Sequence, residues 1–115
     1  NAILKVKGSC NQQINAIIPN DGMSADFIYY LIENNTLLLK KYAGTSATSI
    51  INKDTFENLV FKIPNNKQEQ IKIAEILSQF DKEIELLEQE LEQYKQLKKS
   101  LSQLLLTGIV RVNEV

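Results

Sequence analysis

Hydrophobic and polar positions change period along this chain, from alternation near the start to a sustained three-and-four spacing near the end. Residues 3–7 read Ile-Leu-Lys-Val-Lys, with Leu4 and Val6 on one face and Lys5 and Lys7 on the other, the pattern of a half-buried strand. The polar cluster Ser9-Cys10-Asn11-Gln12-Gln13 separates it from Ile14-Asn15-Ala16-Ile17-Ile18, a second short strand closed by Pro19. After the Asn20-Asp21-Gly22 turn, Ser24 caps a predicted helix whose apolar positions Phe27, Ile28, Leu31 and Ile32 recur at helical spacing. Asn34 and Asn35 end it, and residues 37–39 begin a further helical turn. Gly44 opens the polar run 44–49, a capped turn follows at 52–54, and Leu59-Val60-Phe61-Lys62-Ile63 makes a third strand stopped by Pro64.

The last third carries the clearest pattern. Asn66, followed three residues later by Glu69, matches a capping box, so a helix begins near Lys67. Ile73, Leu77, Phe80, Ile84, Leu87, Leu91, Tyr94, Leu101 and Leu105 then alternate steps of four and three, with Lys98 filling the missing step. That is a heptad seam, and Thr107-Gly108 supplies its end. A helix over 67–106 is about 60 Å long at 1.5 Å per residue. The residues before it are too few to cover the whole stripe, so the seam needs a partner helix; the alternative is an ordinary amphipathic helix packed on its own domain. Tyr94 and Lys98 suit an antiparallel or hetero-helical pairing better than a dry parallel one, because polar tips can reach the edge of a bundle. Beyond Gly108, residues 109–112 alternate as a short strand or an extended tail.

Composition removes whole classes of chemistry. The chain has no His, no Trp and one Cys, which excludes a His-based triad, a His/Cys zinc cluster and an internal disulfide. Cys10 lacks a His to activate it and fits a reducing compartment. Residues 1–8 lack the apolar core of a signal peptide, and no run of about 18 apolar residues is present to span a bilayer. A cytoplasmic location and no membrane partner are the expectation. The net charge is −1, but residues 1–66 hold six Lys against five acids and residues 67–115 hold seven Lys plus Arg against nine. Asp81, Glu83, Glu85, Glu88, Glu90 and Glu92 are opposed only by Lys82, so that stretch repels phosphate and any nucleic-acid contact lies mainly elsewhere.

The polar positions offer few constellations. The hydroxyl-rich run 44–49, with Lys40, Lys41 and Lys53 nearby, fits either a loop approaching a phosphate backbone or base edge, or a solvated turn. No Gly-x-x-x-x-Gly-Lys-Ser/Thr pattern occurs, so the run is not a nucleotide-phosphate loop. Asn11, Gln12 and Gln13 carry amides able to bond an adenine edge, or simply form a turn. Lys5 and Lys7 can bind phosphate or keep a strand face soluble. The carboxylates at 83–92 fall on the solvent side of the seam, where nothing apolar raises a pKa, and read as a solvated face rather than a catalytic or metal site.

Taken in order, Gly44-Thr45-Ser46, Ile51-Asn52-Lys53, Leu59-Val60-Phe61-Lys62-Ile63-Pro64, Glu69-Gln70-Ile71-Lys72-Ile73-Ala74-Glu75-Ile76-Leu77, Asp81 and the tail Leu104-Leu105-Leu106-Thr107-Gly108-Ile109-Val110-Arg111-Val112 resemble the DNA-specificity subunits of type I restriction-modification systems. Cys10-Asn11-Gln12 and Phe27-Ile28-Tyr29-Tyr30-Leu31 are similar to the same family more loosely. The Pro-rich stretch usual in that family is reduced to Pro64-Asn65-Asn66, with Asn66 still supplying a cap. The resemblance implies a subunit with two target-recognition domains, each followed by a long helix; the helices pair antiparallel and methyltransferase subunits dock on the assembly. It also implies strands preceding the segment that matches Asn1, so the chain is read as a fragment or a natural truncation.

The expectation is therefore an α+β chain: a small, mostly-β target-recognition fragment with one helix over 1–65, a long spacer and dimerisation helix over 66–107 forming an antiparallel coiled coil, and a tail over 108–115. Its expected function is recognition of one part of a bipartite DNA target, with no catalysis, cofactor or metal of its own. Its expected partners are double-stranded DNA, a type I methyltransferase (modification) subunit, a restriction subunit and a second spacer helix in the same or another specificity chain. Lys5, Lys7, Asn11, Gln12, Thr45, Ser46, Thr48 and Lys53 are expected to face DNA. Leu77, Phe80, Ile84, Leu87, Leu91, Tyr94 and Leu101 are expected to pair helices. The competing expectation is an assembly module that binds partners through the helix and never reads DNA.

Overall fold

The structure is a computed structural model, and it describes residues 1–43 and 51–113. Helix α1 (Ala25–Asn34) starts where Ser24 takes an extended conformation and its hydroxyl accepts the Phe27 N–H at 3.3 Å, satisfying one of the donors that a helix start leaves open. Asn35 ends it twice over, through backbone N–H bonds to the Leu31 and Ile32 carbonyls and a side-chain N–H bond to Leu31 at 2.7 Å. Helix α2 (Thr36–Tyr42) follows at once, and Lys40 and Lys41 sit in its last turn, where cations suit the negative end of the helix dipole. Helix α3 (Lys53–Glu57) is a single turn held by side chains at both ends. Asn52 accepts the Thr55 N–H at 2.7 Å, and the Asn58 amide donates to the Asp54 carbonyl at 2.7 Å.

Helix α4 (Lys67–Leu106) begins at the expected cap, with Asn66 Oδ1 accepting from Gln68 N–H at 2.9 Å and the Asn66 carbonyl from Gln70 N–H at 3.1 Å. It ends at Gly108, which takes φ +75°. Gly108 N–H returns to Leu105 and Val110 N–H to Leu104, so two of the last carbonyls are satisfied by a reversal that only glycine makes without strain.

The chain forms two units, Asn1–Leu77 and Ser78–Val115. The core of the first is small: Phe27, Ala43 and Ala74 are buried, together with the polar Ser24 and Gln70. Gln70 is fully enclosed. Its carbonyl accepts the Ser24 backbone N–H at 3.0 Å, and its amide donates to the Pro64 carbonyl at 2.8 Å and touches Met23 Sδ at 3.5 Å. One side chain thus ties the start of α1, the segment before α4 and the first turns of α4. Further long-range pins run from the Asn1 amide to the Tyr29 carbonyl (2.9 Å), from Lys67 Nζ to the Asp21 carbonyl (2.7 Å) and from the Asn15 amide to the Ile51 carbonyl (2.9 Å). In the second unit no described residue is buried.

The expected α+β class with a mostly-β recognition fragment is wrong. Among the described residues there is no β-strand, and residues 1–65 contribute three helices rather than one. The alternation over 3–7 does not extend: the backbone bends at Val6 and Lys7, and the Leu4 side chain comes back to within 3.8 Å of where a Cβ on Gly8 would lie. Residues 14–18 run on irregularly from a turn closed by the Ile14 N–H bond to the Asn11 carbonyl, and 59–63 starts from a Leu59-to-Phe56 bond that closes α3. Alternation specifies a face, but a strand also needs a neighbouring ladder to satisfy its backbone. None is present among these segments, and Ile18 and Val60 are left 91% and 90% exposed.

Candidate functional site

The long helix presents the largest feature. Leu77, Phe80, Ile84, Leu87, Leu91, Tyr94 and Leu101 are all exposed, at 56% for Leu87 and 53% for Leu91. From Phe80 onward, in the second unit, the helix places them on one side by its 3.6-residue repeat, with Leu105 continuing the row and Leu97 and Leu104 widening it. An uncovered apolar stripe of about ten large side chains is unusual on a surface that stays in water. The Lys95–Glu92 contact, at 4.0 Å and well exposed, is worth little in water.

The residues expected to face DNA lie in the first unit. Lys5 and Lys7 are exposed on the bent N-terminal segment, and Asn11 and Gln12 are exposed on a turn. Asn11 Oδ1 accepts Gln13 N–H at 3.3 Å and its carbonyl accepts Ile14 N–H at 3.0 Å, so the Asn11 oxygen is engaged in local structure. Lys53 is the first residue of α3 and pairs with Glu57 at 3.5 Å, its side chain 80% exposed. The Asn15–Ile51 bond holds the turn at 11–14 within a few residues of the start of α3, which brings the Asn11-Gln12 pair and Lys53 toward one region. Thr45, Ser46 and Thr48 lie outside the described residues. An open cleft that sequence reading did not anticipate runs between α2 and α3, lined by Leu38, Tyr42, Asp54, Thr55, Asn58, Leu59 and Val60.

A model of the type I restriction modification DNA specificity domain matches residues 2–96. The chain belongs to that family. It is 35% identical over 111 residues to the type I restriction enzyme EcoR124I/EcoR124II specificity subunit of Escherichia coli, a match covering 84% of this chain and 27% of that subunit. It is 35% identical over 86 residues to the type I restriction enzyme MjaIX specificity subunit of Methanocaldococcus jannaschii, covering 73% of this chain and 20% of that subunit. The specificity-domain chain therefore spans about a quarter of the length of these relatives. No solved structure matches it. No helix among the described residues is long and apolar enough to cross a membrane.

The residue that reading by pattern passed over in this specificity domain is Gln70. It occupies a seam position, where a polar side chain looks like a defect, and only its partners reveal its use. The signal was Ala74 one turn later, the one small residue on the buried face, which permits a close backbone approach at that point.

Proposed function

We propose that this chain is part of a DNA-specificity subunit that reads one part of a bipartite target and docks methyltransferase subunits in an assembly organised by α4. The uncovered seam on α4 carries this reading: a specificity-family chain that spends forty residues on a helix and leaves its apolar stripe in water is built to be completed by another helix. In this reading residues 1–65 supply the recognition surface, with Lys5, Lys7, Asn11, Gln12, Thr45, Ser46, Thr48 and Lys53 toward DNA. The chain performs no catalysis; methylation belongs to the modification subunit. Lysines set phosphate contacts that position the duplex, whereas the amides and hydroxyls are the groups able to read base edges.

The test is duplex binding by the chain assembled with its modification subunit, across a salt series. Phosphate contacts by a few Lys give a negative slope of log affinity against log salt, each contact contributing about 0.9 to it. Lys53→Ala with Thr45→Ala weakens cognate binding by about tenfold or more, from one phosphate contact and one hydroxyl contact. Unchanged affinity sinks the loop assignment. A second reading, an assembly module that never reads DNA, draws on the near-neutral net charge of −1. It is the correct one if the chain assembles with the modification subunit and Lys5→Ala, Lys7→Ala and Lys53→Ala together leave both the duplex affinity and its salt slope unchanged.

A further inference from the structure

The chain holds one Cys and one Met, and of these two sulfur atoms only that of the Met is built into the fold. Cys10 is exposed. Met23 is half-buried, and its Sδ lies 3.5 Å from Nε2 of Gln70, the fully enclosed amide of the first unit. A side-chain amide has two N–H donors and one carbonyl acceptor. Gln70 gives one N–H to the Pro64 carbonyl at 2.8 Å and the other to this sulfur, while its oxygen takes the Ser24 N–H at 3.0 Å. The thioether is therefore the acceptor that completes the bonding of a closed polar site.

The backbone gives that sulfur little freedom to move as a unit. Met23 N–H is bonded to the Asn20 carbonyl at 3.0 Å, and the next N–H, that of Ser24, is the one Gln70 holds. Residue 23 is pinned on both sides, yet its side chain is partly open to water next to the exposed Asp21 and Gly22. A thioether within reach of a small oxidant takes up one oxygen. With hydrogen peroxide an S–O bond forms, the O–O bond breaks and the second oxygen leaves as water; the sulfur loses two electrons and the peroxide gains them. The product is a polar, chiral sulfoxide in place of a soft apolar atom. Turned inward, the new oxygen needs space that the enclosed amide does not leave, and Gln70 gives up a partner. Turned to water, it draws the side chain outward and strands one Gln70 N–H in a closed site. Either way the amide loses a bond that burial makes costly to lose.

We infer that Met23 is an oxidation site whose sulfoxide releases the Gln70 lock and frees the start of α1 from the first turns of α4. The modification is reversible, because methionine sulfoxide reductases return the thioether. The inference goes beyond the proposed function and holds whether or not the chain binds DNA; where it does, oxidation loosens the unit that carries the recognition residues.

The experiment uses the full chain with Cys10→Ser, which leaves Met23 as its one sulfur. The folded chain is treated with hydrogen peroxide, the added oxygen is located by peptide mass, and amide exchange is followed by NMR. One oxygen is expected on Met23, with exchange at the Ser24 N–H at least about tenfold faster and exchange along residues 80–100 unchanged. Reductases acting on both sulfoxide epimers restore the slow exchange. Met23→Gln, which places a polar group there without any oxidant, speeds Ser24 in the same way. Met23→Leu, of similar volume, shows no response to peroxide. A folded chain in which Met23 resists peroxide until denaturant is added overturns the inference, as does a sulfoxide that leaves Ser24 exchange unchanged or slows it. Peroxide that speeds Ser24 exchange in Met23→Leu as well places the sensitive group elsewhere and also overturns it.

Discussion

Among the described residues, the most completely buried side chain of Asn1–Leu77 is an amide, Gln70, and the apolar core is three residues strong, whereas in Ser78–Val115 large apolar side chains are plentiful and none is buried. The first unit uses directional bonds to fix where its segments meet, because its short helices and bent segments offer no broad faces to pack. The second has a broad face and nothing of its own to press it against. Apolar content therefore does not measure self-sufficiency: the unit with the better hydrophobic pattern is the one that leaves its large apolar side chains in water. Most helical stability in a protein comes from packing of the apolar face rather than from propensity, so the stripe stabilises the chain only when covered.

The strongest way to break that contrast is to place charge in the seam. Leu87→Glu with Leu91→Glu removes two of the central leucines, each worth about 1.5–3 kcal/mol when covered, and puts two carboxylates in their place. Assembly measured by light scattering drops at least about a hundredfold, while the chemical shifts of residues around Gln70 stay put. Loss of the first unit's signals in the same variant is the result that removes the distinction between the two units.

Next in size is Gln70→Ala. It strips the Ser24 N–H and the Pro64 carbonyl of their partner inside a closed site, and unsatisfied buried groups cost about 1–3 kcal/mol each. A loss of about 3 kcal/mol in chemical denaturation of the first unit is expected. Gln70→Glu keeps the shape and the acceptor for Ser24 but sets a carboxylate oxygen against the Pro64 carbonyl, so it rescues nothing. Seam pairing through residues 80–105 is unaffected in either variant.

The helices of this chain were legible wherever the signal was local. Ser24, Asn52, Asn66 and Gly108 each act through bonds within a few residues, and each marks its helix end as expected. The seam was equally readable, because a period repeated over 73–105 outweighs any single residue such as Lys98. What misled was alternation in short segments. Leu4 and Val6 have a strand's pattern, but whether five residues form a strand is decided by a neighbour far away in sequence, and the chain instead bends at Val6 and Lys7. Gln70 was illegible for the same reason: its partners Ser24 and Met23 lie 46 and 47 positions away. Among the residues expected to face DNA, Lys53 and Asn11 have exposed positions but prior local engagements, an ion pair and a turn, which residue type alone does not announce.

A finer cut separates the two roles that meet at Ser24. Its backbone N–H is held by Gln70, whereas its hydroxyl caps α1. Ser24→Ala removes only the second and costs about 1 kcal/mol, roughly a third of the Gln70→Ala effect, in the same denaturation experiment. Equal losses mean that the hydroxyl holds the first unit together as much as the Gln70 amide does.

The smallest effect belongs to the far end of the second unit. Gly108 sits at φ +75° with nothing within 4 Å of a Cβ, so Gly108→Ala meets no clash and its whole penalty is backbone strain, intrinsically about 1 kcal/mol. The first unit would feel a penalty of that size in full, because its segments are locked through Gln70. Here the chain has a cheaper escape: the last turn can fray, giving up the Gly108–Leu105 and Val110–Leu104 bonds where water replaces them. The loss in pairing strength is then below about 0.5 kcal/mol, and it appears as faster amide exchange at 105–110 rather than as weaker assembly by light scattering. A full 1 kcal/mol in assembly requires the Leu105 layer to stay closed at any cost, which makes the end of the helix as tightly specified as the core around Gln70.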